Sequence, residues 1–142
     1  MLLGCQNVTE ELRTFYLDEV YYNSTSLVSV NGEELKRLEA NNGNFIIFVY
    51  MPMCNASAMF RDVVEEFIET REIAFYQIQF SRIGDARIAN AIRHFPTAVI
   101  YRGGVPIAAL DAGADEHIAY YQTADNLEIW LSQYIYLERE SL

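Results

Sequence analysis

Apolar side chains run without a break from Phe45 to Met51, and soon after them Phe60, Val63, Val64, Phe67 and Ile68 recur at helical spacing. The first pattern has the length of a strand buried on both faces. The second draws one apolar stripe on a helix that ends near Glu69, with Arg61, Asp62, Glu65, Glu66 and Glu69 facing outward. Elements on either side follow from the same two periods. Upstream, Val8, Leu12, Phe15, Tyr16 and Val20 behind the Asn7/Glu10 pair predict a short amphipathic N-terminal helix, which the polar string 22–26 ends. Leu27–Val30 then reads as a short edge strand. Asn31, with Glu34 three residues on, caps a second helix that turns Leu35 and Leu38 inward and stops at Asn41-Asn42-Gly43.

Downstream, the β-branched and aromatic run Ile73–Phe80 predicts a strand, and 85–93 a short helix. Thr97–Tyr101 and Val105–Leu110, separated by Gly103-Gly104, form an antiparallel hairpin, with Pro106 tolerated because its strand is outermost. The chain closes on a helix carrying Leu127, Trp130, Leu131, Tyr134 and Ile135 behind the capping pair Asp125 and Glu128. Three strands separated by helices, then a hairpin and a last helix, predict an α/β fold: a central mixed β-sheet with helices on both faces, plus the added N-terminal helix. Residues 1–25 are assigned to an N-terminal segment and 26–142 to the domain.

Composition narrows the function classes. A chain of 142 residues with 51% hydrophobic content can bury one good core. Twenty acidic against ten basic side chains leave a formal charge of −10, which opposes binding to nucleic acid or anionic lipid. Two cysteines, Cys5 and Cys54, are too few for a disulfide-scaffolded domain. No run approaches the roughly 18 apolar residues needed to span a bilayer. Leu2-Leu3-Gly4-Cys5 is similar to the end of a bacterial lipobox, so with a start further upstream Cys5 would carry a lipid anchor and tether the domain outside the cytoplasm; without one, a cytoplasmic location is the alternative. The loop Asp111–His117 reads as solvated and acidic rather than as a metal site, and no metal or cofactor is expected.

Cys54 stands where the strand Phe45–Met51 gives way to the following helix, a junction whose free N–H groups and dipole favour a thiolate. Here the resemblance to a family is specific. Phe48–Ser57, FVYMPMCNAS, resembles the active-site strand and loop of the thioredoxin superfamily, with Cys54-Asn55-Ala56-Ser57 in place of Cys-x-x-Cys. Phe95-Pro96-Thr97, an apolar strand and Arg102-Gly103-Gly104 resemble its cis-proline segment and hairpin. The likeness covers about 27–137 and implies a thioredoxin-like fold. It also implies that Cys54 attacks, that Ser57 assists its thiolate by a hydrogen bond, and that Pro96, Phe95, Met53 and His94 border the substrate. His94 could pair with the thiolate, although a partly exposed histidine finishing a helix is the more common arrangement. With serine at position 57 there is no resolving thiol. Phe48 stands where reductases of the family carry a buried acid, Met53 where a tryptophan is common, and Ala56 where a proline is usual.

The implied chemistry is monothiol disulfide exchange with protein thiols, disulfides or an extended peptide segment, as in the thioredoxin-like lipoproteins and bacteriocin-transport accessory proteins of Gram-positive bacteria. The other reading is a redox-inactive binding or scaffold module, since phosducin-like proteins are similar in the segment 95–104 and in their acidity. Whether the chain is an enzyme stays open between these two.

Overall fold

The uninterrupted apolar run becomes the middle of the molecule. In a computed structural model that describes residues 13–141, the strands are β1 (Leu27–Ser29), β2 (Phe45–Tyr50), β3 (Phe75–Gln79), β4 (Thr97–Arg102) and β5 (Val105–Ala109), and the α-helices are α1 (Gly32–Ala40), α2 (Asn55–Arg71) and α3 (Ala124–Leu131). The five strands make one sheet in the order β1-β3-β2-β4-β5. β2 runs parallel to β3 and antiparallel to β4. The fold is therefore α/β with a mixed sheet.

Alternation along β2 shows that both faces are covered. Phe45 stacks on Tyr101 at 4.3 Å between ring centroids, and the Tyr101 hydroxyl donates to Glu39 of α1. Phe48, on the opposite face, packs edge-on against Phe60 of α2 at 5.8 Å. Phe45 through Val49 are fully buried, and each such side chain contributes about 1.5–3 kcal/mol. That concentration of burial anchors the end of β2 from which the Cys54 loop departs.

Local chemistry sets the helix ends. Asn31 caps α1 through the Glu34 amide at 2.9 Å, and the Glu34 carboxylate accepts from the Asn31 amide at 3.1 Å, the predicted reciprocal pair. Glu39, on the same helix, is almost wholly buried. It accepts from Tyr101 at 2.6 Å and from the Arg87 amide at 3.0 Å, so its burial is compensated. At Gly104 a Cβ would lie 2.1 Å from the Glu39 carbonyl oxygen, and φ is +76°, so the hairpin turn requires glycine there. In β5 the register shift leaves Ile107 without a partner, as a bulge, and sets Pro106 opposite Tyr101.

Three expected helices differ. Over residues 13–20 the N-terminal helix is not formed: Phe15 makes a parallel bridge to Ile135, and only Glu19–Tyr21 makes a 3-10 turn. Phe15 and Leu17 are buried and Val20 is 74% exposed, so the burial there alternates as in an extended chain. The Asn7/Glu10 cap and the Leu2–Cys5 motif lie outside the described residues. The helix expected at 85–93 is only the 3-10 turn Arg87–Asn90, because Glu39 takes the Arg87 amide and one side chain of the turn, Ile88, is buried. In α3, Thr123 rather than Asp125 is the cap, accepting from the Asn126 amide at 3.0 Å. Asp125 and Glu128 instead hold Arg71 of α2, the latter at 2.8 Å. The helix stops at Leu131, so that Ile135 can bridge to Phe15.

Candidate active site around Cys54

β2 ends at Tyr50, and the chain turns through Met51-Pro52-Met53 into α2. Met53 takes φ +60°, a left-handed conformation costly for a residue with a side chain, and is fully exposed. That turn presents Cys54 as the N-cap of α2, where the amides of the first helical turn have no intrahelical acceptor. Cys54 is partly exposed and makes no disulfide. The Ser57 amide first and then the Ser57 hydroxyl hold its thiol below the ordinary value; burial opposes them less strongly, and the Ala56 amide adds the least.

Ser57 is buried, and its oxygen also accepts from the Met51 amide at 3.1 Å. One hydroxyl thus ties the turn before Cys54 to the helix after it. Phe48, where a buried acid would serve proton transfer, is fully buried between Phe60 and Tyr50. Arg61 lies over the Phe48 and Tyr50 rings at 5.1 and 4.5 Å.

The opposing wall comes from the start of β4. Val49 pairs with Thr97 across the sheet, so the segment before Thr97 lies beside the turn leaving β2. The Phe95–Pro96 peptide bond is cis. Pro96 is buried and faces a groove that Ala56 of α2 also lines, so this segment and the Cys54 loop meet there. Phe95 is half-buried with its ring 4.1 Å from that of Phe80, and its amide and carbonyl have no backbone partner among the described residues.

His94 has a partner other than the thiolate. Its Nδ1 lies 2.7 Å from Asp111 Oδ1, and its ring packs over Gly113, where a Cβ would come within 2.7 Å. The Asp111 carboxyl is held below its usual range by the Gly113 amide and then by His94. The Asp111 amide donates in turn to His117 Nδ1 at 2.9 Å. The loop expected to be merely solvated is thus folded onto the segment before Pro96. Among the described residues there is no group of three or more His, Cys, Asp or Glu able to hold a metal.

Tyr121 is the functional candidate that sequence reasoning passed over. Its hydroxyl donates to the Pro96 carbonyl at 2.7 Å, and its ring lies 4.5 Å from that of Phe60. Burial raises its phenol above the ordinary value. The pair Tyr120-Tyr121 reads as packing in the sequence, and nothing local marks one of them as the support of a distant loop.

The sheet and the helices packed on it have counterparts among solved structures. A single-site mutant of the thioredoxin from Halobacterium salinarum NRC-1 matches with a TM-score of 0.61 at 21% identity, covering 84% of this chain and 97% of its own. The chain has the thioredoxin fold. Among thioredoxin-fold neighbours, the oxidised thioredoxin from Plasmodium falciparum gives a TM-score of 0.54 at 16% identity, covering 76% of this chain and 97% of that one. The reduced Schistosoma mansoni thioredoxin pre-protein gives 0.57 at 13%, covering 78% and 99%. No protein-family model and no curated protein matches the chain. Within this fold the chain has serine at position 57 and phenylalanine at position 48, where the resemblance implied a second cysteine and a buried acid.

Proposed function

We propose that this thioredoxin-like protein is a monothiol disulfide-exchange protein in which Cys54 is the attacking group. The observation that supports this reading is the place of a partly exposed Cys54 at the N-cap of α2, where the Ser57 amide and hydroxyl lower its thiol pKa and so favour the thiolate. Cys54 S⁻ attacks one sulfur of a disulfide, forms a mixed disulfide and expels the other sulfur as thiolate. A second thiolate, from the substrate or from solution, attacks the mixed disulfide and returns Cys54 S⁻. Each cycle conserves disulfides, so the activity is exchange or isomerisation rather than net reduction. Pro96 and Phe95 border the incoming segment, with the Phe95 backbone offered to an extended polypeptide. Met53 lies at the exposed rim.

The test is the rate of Cys54 alkylation by iodoacetamide against pH on a Cys5→Ser background. Rate follows the thiolate fraction, so a lowered pKa places the midpoint below the roughly 8.5 of a free thiol. Ser57→Ala removes the hydroxyl that favours the charged form and moves that midpoint upward. A midpoint at the free-thiol value, unmoved by Ser57→Ala, would defeat the proposal and leave the redox-inactive binding module as the better reading.

A further inference from the structure

Beside Cys54 a groove of about 390 Å³ runs between α2 and the 3-10 turn Asp115–Tyr121. Met59 and Val63 of α2 form one wall, Ile118 and Tyr121 the other, and Pro96 closes the end. Met59 is 72% exposed and Ile118 50%, so apolar side chains face each other across open space near the end of α2 that Cys54 caps. No lysine or arginine lines it.

The rim carries one sign of charge. Met59, Asp62, Val63 and Glu66 follow one another along a single strip of α2, and Asp115 and Glu116 begin the opposite turn. None of these four acids forms an ion pair among the described residues. The cations of α2 are turned elsewhere: Arg61 onto Phe48 and Tyr50, Arg71 onto Asp125 and Glu128. An apolar slot with an uncompensated acidic rim is complementary to an apolar side chain flanked by lysine or arginine.

From this we infer that the groove between α2 and the Asp115–Tyr121 turn selects basic, apolar polypeptide segments as exchange partners of Cys54, Ile118 and Met59 gripping the apolar side chain while the acids attract its neighbours. The inference rests on the exchange reading above and names its substrate class. Tyr121 keeps the slot aligned with the Pro96 segment through its hydroxyl.

Three cysteine peptides activated as 2-thiopyridyl disulfides test it on the full chain carrying Cys5→Ser: one with leucine and lysines, one with leucine and glutamates, one with glutamine and lysines. Attack on the peptide sulfur forms the Cys54–peptide disulfide and releases pyridine-2-thione, which is followed by absorbance. The neutral 2,2′-dithiodipyridine reports the thiolate alone. The leucine–lysine peptide should react on the order of tenfold faster than either other at low salt, its lead over the glutamate peptide shrinking in about 0.5 M salt as screening shortens the field. Met59→Gln and Ile118→Gln, both at exposed positions, should erase most of its lead over the glutamine peptide while leaving the dithiodipyridine rate unchanged. Fast dithiodipyridine reaction with equal peptide rates overturns the groove assignment alone. Slow reaction with every probe overturns the exchange reading and this inference with it.

Discussion

Ser57 couples two things that a second cysteine would separate. Its oxygen accepts from Met51 and its hydroxyl favours the Cys54 thiolate, yet it has no sulfur with which to release a bound partner. Ser57→Cys should therefore convert the protein to self-release: the mixed disulfide with a peptide, persistent in the parent until thiol is added, should decay without added thiol, because an intramolecular thiol acts at a millimolar effective concentration. Trapping of the adduct by acid quench and mass spectrometry measures this directly. At this scale the sequence was informative where backbone position alone decides chemistry. A strand-to-helix junction is set by local signals, which is why the place of Cys54 at the start of α2 was legible from the apolar run before it and the helical stripe after it. That of His94 was not, because its partner Asp111 arrives from a loop seventeen residues on.

Among the elements, those set by their own residues were legible and those set by a distant group were not. The box at Asn31 and the apolar stripe of α2 are local signals, and both structures form as their patterns predict. The Arg87–Asn90 turn, by contrast, answers to a carboxylate buried on another helix, and Thr123 displaces Asp125 as a cap because Asp125 is drawn to Arg71. α2 itself ends on Glu72 at φ +54°, its amide donating to the Ile68 carbonyl at 2.9 Å. A left-handed helix end suits glycine better than any residue with a Cβ. Glu72→Gly should stabilise the protein by about 1 kcal/mol, the lower end of the usual left-handed penalty, read as a higher midpoint in urea. An unchanged or lower midpoint would mean that the glutamate side chain contributes more than its backbone costs.

Across the whole molecule, residues 13–25 share one core with the rest. Phe15, Leu17, Tyr21 and Tyr22 are buried in the same cluster as β2 and α3. The Phe15 amide donates to the Tyr134 carbonyl and its carbonyl accepts from the Tyr136 amide, at 3.0 and 2.9 Å. Phe15→Ala should cost about 3–5 kcal/mol by leaving a cavity, and should lower one cooperative denaturant transition instead of producing a separate early one. The alternation that buries Phe15 and Leu17 is present in the sequence, but the overlapping helical spacing of Val8, Leu12, Phe15 and Val20 competes with it, and only the distant partner Ile135 decides.

The bulge in β5 has a consequence of another kind. Fibre growth needs a straight sheet margin with free amides on which a second copy can align. One margin here is β1, only 3 residues long. The other is interrupted by Ile107 and lacks an amide at Pro106. Both borders are poor seeds, and copies carrying ten excess negative charges repel one another. The protein can therefore keep an apolar opening beside its cysteine in concentrated solution without nucleating fibres.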